Sequence, residues 1–453
     1  MTAELDLLAR RRKVMGASPL FYDEPLHFVR GDGVYLYTAE GRRYLDCYNN
    51  IPVVGHCNPQ VTEAIARECR MLNVHSRYLS RNIVEYSERL LGTFSCGLDQ
   101  LLFTCSGSEA NEQALRIARM LGRGRGIICS NFAYHGNTAA VDQVSPLMHR
   151  ERQYFTEVRS IPFPETYRPL GGLSGENLIE AYLGEVQAAI DSLEEAGIGV
   201  AGMILCPIFA NEGLPRIPPT LLERAMELVR KAGGLIIVDE VQAGFGRTGK
   251  MWGHQLMGIT PDIVTMGKPM GNGYPVAALV SRAELLAAYR ERVFYFNTFA
   301  ASQAAAAAAT AVLDVIEGQL LLDNARDTGD FIRQGFADLA ERHPLIGDIR
   351  GEGLWVGVEL VQDRETREPA TRETWQLVNE LKRQGILVSR TGPYGNVLKM
   401  RPPLVFDRDN AGELLDAAER ALGLLPRAGS TAVNHDGVLL SDMSGTSVRV
   451  RGR

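Results

Sequence analysis

The chain has 453 residues, 45% of them hydrophobic and 23% charged, with a formal net charge of −6 at pH 7. This length exceeds one ordinary core and predicts two domains of a globular protein. The acidic balance, with no basic stripe interleaved with aromatics, argues against nucleic acid as a partner, and no stretch approaches a membrane span: the blandest run, AASQAAAAAATAVL, reads as a packed helix.

The N-terminus MTAELDLLARRRK turns from acidic to basic without an apolar core of signal-peptide length, and its RRRK reads as a solvated helix face. Residues 34–37 and 43–47 alternate like a small antiparallel pair around Glu40-Gly41. From residue 60 to about 311, strands and amphipathic helices alternate, which predicts a mostly parallel sheet with right-handed crossovers. The strand at 101–105 leads through Ser106-Gly107-Ser108 into a helix at 109–121, and small residues there let backbone N–H groups and the helix N-terminus meet a phosphate. The strand at 126–130 is followed by Tyr134-His135-Gly136, which offers an aromatic ring to stack on a cofactor face. Core strands at 204–206 and 235–238 are separated by a helix at 219–232. The second delivers Asp239 at its end, and the next strand, 262–266, ends in Gly267-Lys268-Pro269. After 313, long amphipathic helices and an antiparallel set at 354–360, 386–389 and 397–400 predict a smaller α+β domain completed by N-terminal strands. The expected division is an N-terminal segment, 1–59, contributing to the small domain, a large domain, 60–313, a small domain, 314–425, and a tail, 426–453. That tail, poor in apolar residues, reads as a mobile extension without catalytic role. The seven cysteines are scattered, odd in number and without CxxC spacing, which predicts free thiols in a reducing cytoplasm and no zinc site.

Asp239 and Lys268 stand at the carboxyl ends of two parallel strands, so both face the crevice where α/β sheets bind ligands. Pyridoxal 5′-phosphate chemistry needs this pair, a lysine to form the Schiff base and a carboxylate to keep the pyridine nitrogen protonated. A salt-bridged strand end and a solvated lysine would explain the two residues equally well. Taken singly, Ser108 reads better as a helix cap and His135 as a satisfied surface histidine. Four such features in this order favour the cofactor. The glycines of GFGRTGK (244–250) imitate nucleotide loops, but Trp252, Gly253, Gly258 and Pro261 leave no good helix after them, and Met251 stands where a P-loop needs Ser or Thr.

From about Pro19 to Leu425 the sequence resembles the class III aminotransferases, fold-type I enzymes that use pyridoxal phosphate, in YLDCYNNIPVVGHCNPQV, FTCSGSEANEQALRIAR, YHGNT, IIVDEVQAGFGRTGK, DIVTMGKPMGNGYPVAA and YFNTFAASQAAAAAA. The resemblance implies Lys268 as the Schiff-base lysine, Asp239 as partner of the pyridine nitrogen, and Gly107 and Ser108 at the phosphate. Tyr134, beside His135, would stack on the ring, and Val241 and Gln242 would meet its other face and its hydroxyl. Thr298 matches a threonine that reaches the phosphate from the neighbouring subunit, which implies a homodimer with shared sites. Two departures stand out: Cys206 occupies the place of an acid that partners a carboxylate-binding arginine in this family, and Lys399 occupies the place of that arginine, with Arg401 two residues on along the same strand face. NVHSRYL (73–79), NIVEY (82–86), CYNN (47–50) and residues 392–403 resemble the ethanolamine-phosphate phospho-lyase branch. That branch implies β-elimination of phosphate from a phosphorylated amino alcohol, for which Arg77, Arg81, Lys399 or Arg401 could supply cations; each could equally be solvated surface charge. The alternative on the same scaffold is an aminotransferase moving an amino group from an amine or amino acid to a keto acid such as pyruvate or glyoxylate.

Overall fold

The sequence opens with a helix, Ala3–Met15, and a meander of β1 (Phe28–Asp32), β2 (Tyr35–Thr38) and β3 (Arg43–Asp46), antiparallel throughout. The computed structural model describes residues 3–95, 97–149 and 155–425; the tail from 426 and Cys96 lie outside them. The β2–β3 pair was legible from its alternation. β1 was not, because FVRGD carries charges and a glycine, and its register shifts between Phe28 and Arg30.

The central sheet has seven strands: β4 (Gln100–Thr104), β5 (Gly126–Ser130), β6 (Val158–Ile161), β7 (Val200–Leu205), β8 (Leu235–Asp239), β9 (Ile263–Met266) and β10 (Ala277–Ser281). Their order is β4-β10-β9-β8-β7-β5-β6. The five strands from β9 to β6 are mutually parallel, and β10 runs antiparallel to both β9 and β4. Helices cover both faces of such a sheet, so its strands read as unbroken apolar runs; every residue of β5, β7, β9 and β10 is buried. The helix Gly107–Leu121 follows edge strand β4 and packs across β10, β9 and β7, which carries its N-terminus to the carboxyl ends of β8 and β9.

The alanine run sits in helix Gln303–Gly318, buried along most of its length and packed against helix Pro59–Met71. Methyl side chains let the two helices approach closely, which explains a composition that on the surface would be unremarkable. Beyond it, β11 (Ile346–Glu352), β12 (Trp355–Leu360), β14 (Ser389–Thr391) and β15 (Val397–Met400) form an antiparallel sheet in the order β11-β12-β15-β14. The predicted strand at 386–389 is divided. Its first half, β13 (Ile386–Leu387), pairs in parallel with β3, and only Ser389 passes to the antiparallel sheet. One buried apolar run thus serves two sheets and ties the N-terminal meander to the C-terminal region.

Candidate active site

β8 ends on Asp239, whose carboxylate is fixed from three sides. Oδ1 accepts from the Val241 N–H at 2.9 Å, and Oδ2 accepts from Asn111 Nδ2 at 3.0 Å and faces His135 Nδ1 at 2.7 Å. Asn111 is itself locked: its Nδ2 also donates to the His135 carbonyl at 2.8 Å, and its Oδ1 accepts from Thr265 Oγ1 at 2.6 Å. Helix, strand and loop therefore agree on one position for a buried carboxylate. Asn111 escaped the sequence reading, since nothing in a helical pattern distinguishes a polar residue turned inward; its place one turn into the helix beyond Ser108 is the only signal.

β9 delivers Lys268 opposite. Its backbone has φ of 22°, a conformation side-chain-bearing residues rarely adopt, and a short turn Lys268–Gly271 follows. Burial pulls its pKa below the ordinary lysine value; Asp239 opposes that pull and Arg401 adds to it. Lys268, Asp239, Gly107, Ser108, Tyr134, His135, Val241 and Gln242 all line one cavity, joined by Cys206. The backbone is drawn tight around it. A Cβ on Gly107 would stand 2.7 Å from a Val241 methyl, and one on Gly136 would stand 2.4 Å from Ser108 Oγ. Ser106, rather than Ser108, caps the helix by accepting from the Glu109 N–H at 3.2 Å, which leaves Ser108 in the first turn facing the cavity.

Of the four cations singled out from sequence, Lys399 of β15 and Arg401 just beyond it are buried next to this cavity, though neither lines it. Lys399 is 3% exposed and Arg401 8% exposed. The Arg401 guanidinium donates to Gln242 Oε1 and, from Nε, to the Tyr48 carbonyl at 2.8 Å, and it lies over the Tyr48 ring. Lys399 Nζ stands 5.5 Å from the centre of the Trp355 ring. Burial drives Lys399 well below the usual lysine range, and neighbouring Arg401 and Lys268 push the same way. Arg77 and Arg81 are exposed: Arg77 lies 5.6 Å over Phe296 and Arg81 pairs with Glu85 at 3.7 Å. Thr298 is also exposed and outside the cavity of its own chain. Sequence reasoning missed Glu212, 4% exposed, which accepts from Ser130 Oγ at 2.7 Å in the loop after β7. In the loop sequence CPIFANEGLP it reads as a solvated turn residue.

The family described as aminotransferase class-III matches residues 21–422. Ethanolamine-phosphate phospho-lyase homolog 1 of Caenorhabditis elegans is 36% identical over 440 residues, covering 93% of this chain and 94% of its own. Alanine–glyoxylate aminotransferase 2 homolog 2, mitochondrial, of Arabidopsis thaliana is 37% identical over 424 residues, covering 92% and 87%. Among solved structures, a phospholyase from Arthrobacter in complex with phosphoethanolamine superposes with a TM-score of 0.90 at 44% identity, covering 93% of this chain and all of its own. These likenesses bring pyridoxal 5′-phosphate with them, and the cavity fits it: a helix N-terminus bare of large side chains for the phosphate, a fixed buried carboxylate for the ring nitrogen, and a desolvated lysine within the same walls.

Proposed function

The chain belongs to the class-III aminotransferase family, and from that premise we propose a phospho-lyase that eliminates phosphate from a phosphorylated amino alcohol such as phosphoethanolamine, giving an aldehyde, ammonia and phosphate. The observation that carries this reading is the Lys399–Arg401 pair. Two buried cations stand together without an ion-pair partner among the described residues, Arg401's contacts being neutral oxygens. Such a pair is costly unless an anion arrives, and a phosphate offers the two charges and several acceptors that would offset it. Cys206, with a thiol that burial holds protonated, lines the cavity without adding a competing negative charge.

In this reading Gly107 and Ser108 would hold the cofactor phosphate, Tyr134, Val241 and Gln242 would hold its ring and hydroxyl, and Asp239, oriented by His135, would keep its nitrogen protonated. The bound cofactor supplies an electron sink. Lys268, whose ammonium form burial disfavours, takes the proton from the amine-bearing carbon of the substrate. Lys399 and Arg401 hold the phosphate and stabilise the charge it carries away. The second reading is an amine or amino-acid aminotransferase with pyruvate or glyoxylate as acceptor, favoured by the aminotransferase relative. Incubation with phosphoethanolamine and no keto acid separates the two: a lyase releases inorganic phosphate, and an aminotransferase does not.

We further infer a homodimer. Thr298 lies among exposed aromatic side chains, Phe294 at 84% and Phe299 at 76%, which a second copy would cover. Arg77 lines one groove with Phe296 and Asn297, so a partner that uses Thr298 would meet Arg77 as well. The domains divide at 60–313 and 314–425, with 1–59 joined to the latter through β13. The six described cysteines are free thiols, which supports a cytoplasmic setting, and no single described helix is long and apolar enough to cross a membrane.

A further inference from the structure

Asp46 closes β3 and is fully buried, yet it stands outside the cavity of the candidate active site. Its Oδ1 accepts from the Tyr48 and Asn49 N–H groups, both at 2.9 Å, and from Asn49 Nδ2 at 3.2 Å. Its Oδ2 faces His56 Nε2 at 2.7 Å. His56 is pinned in turn: its N–H donates to the Gly33 carbonyl at 2.7 Å, its carbonyl accepts from the Gly33 N–H at 3.2 Å, and a Cβ on Gly31 would stand 2.8 Å from its own Cβ. The turn that Asp46 organises is the one that holds Arg401. The Arg401 N–H donates to the Cys47 carbonyl and its Nε to the Tyr48 carbonyl, both at 2.8 Å, and the guanidinium carbon lies 4.4 Å from the centre of the Tyr48 ring.

We propose that Asp46 and His56 are positioning residues for Arg401, fixing the 46–49 turn so that the guanidinium is already in place when an anion arrives. The role rests on the proposed function, in which Arg401 holds the substrate phosphate. One peptide unit carries the connection. The Tyr48 carbonyl that receives Arg401 Nε and the Asn49 N–H that meets Asp46 lie in the same amide plane, so holding one end fixes the other. The chain of hydrogen bonds is continuous from His56 through Asp46, the 48–49 peptide and Arg401 to Gln242 Oε1 on the cavity wall. Without the carboxylate the Tyr48 and Asn49 N–H groups lose their acceptor, and the turn is free to rotate the carbonyl away from Arg401. Arginine gives up rotamer freedom when it grips an anion, and a guanidinium held beforehand gives up less. His56 sets the outer oxygen of the carboxylate, and its anchor on Gly33 ties the arrangement to the connection between β1 and β2.

The test measures sulfate binding to the holoenzyme by calorimetry, with cofactor content matched between variants, because sulfate is a phosphate-like dianion that is not turned over. Asp46→Ala should weaken sulfate binding about tenfold, the size expected when a charge-assisted contact is loosened. Asp46→Asn, whose amide oxygen can still accept from both N–H groups, should recover most of that loss. On an Arg401→Met background, Asp46→Ala should change affinity by less than about twofold, since the effects of coupled residues do not add. A loss of equal size on both backgrounds would mark Asp46 as merely structural, and tighter binding, the result of only removing a nearby negative charge, would overturn the role as well. His56→Phe should weaken binding severalfold, and His56→Gln, whose amide can donate to Asp46, should restore it. This pair decides the matter if Asp46→Ala does not fold, and equal affinity in the two overturns the role. Arg401→Met separates the levels: unchanged sulfate binding in it would fail the anion subsite of the proposed function, whereas weakened binding in it with a silent Asp46→Ala would overturn the present inference alone.

Discussion

Replacing Asp239 with asparagine probes the cofactor-binding frame at its most constrained point. The carboxylate oxygens face three partners: Val241 N–H at one oxygen, and Asn111 Nδ2 and His135 Nδ1 at the other. An amide has one acceptor and one donor, and either orientation sets its NH2 against a fixed buried donor. That orphaned donor costs about 1–3 kcal/mol of local stability. The larger loss is electrostatic. A neutral amide cannot hold the ring nitrogen protonated, and two pKa units of lost support amount to about 2.7 kcal/mol, or roughly a hundredfold in rate. The assay is the initial rate of phosphate release at saturating phosphoethanolamine, with cofactor content measured in the same preparation. Asp239→Asn should retain most of its fold and lose a hundredfold or more in kcat. Turnover within a few-fold of wild type at full cofactor occupancy would show the carboxylate to be structural and refute the reasoning.

Borohydride reduction should fix the cofactor on Lys268 and no other lysine, which peptide mass mapping checks, and Lys268→Ala should bind cofactor yet lose turnover by several orders of magnitude. Arg401→Met should raise KM for the phosphorylated amine by removing a charge-assisted contact worth about 1.5–3 kcal/mol, read from steady-state kinetics. Lys399→Met should weaken substrate binding while stabilising the fold. Burial disfavours the ammonium form of Lys399, so the folded state is penalised below the unfolded lysine pKa; the gain in melting temperature should be larger at low pH and shrink as pH rises toward 10.5. The active species should be a dimer by light scattering at assay concentration, and a fully active monomer would rule out shared sites.

The parts of this molecule that sequence reveals are those written locally. β8 is a short β-branched run that ends in Asp239, and β9 is another that stops two residues before Lys268, as strands buried on both faces do. The turn into helix Gly107–Leu121 is marked by small residues for the same local reason. Long-range choices were not legible. Nothing in Ile386–Leu387 says that it pairs in parallel with β3 while Ser389–Thr391 joins β15, because both pairings are settled by chain segments hundreds of residues apart or across a turn. The same holds for side-chain direction. Arg77, Arg81, Lys399 and Arg401 look alike as letters, yet tertiary packing buries the last two and leaves the first two exposed. Glu212, on a loop without periodicity, could be found only once the loop was seen tied to Thr391, Gly392 and Arg350.

The most direct measurement of the central claim is product analysis of the holoenzyme with phosphoethanolamine as sole substrate. Inorganic phosphate and aldehyde should appear together in equal amounts without any amino acceptor, and adding pyruvate or glyoxylate should not accelerate their release. Absence of phosphate, with alanine or glycine formed instead once the keto acid is supplied, would contradict the lyase and put the aminotransferase in its place.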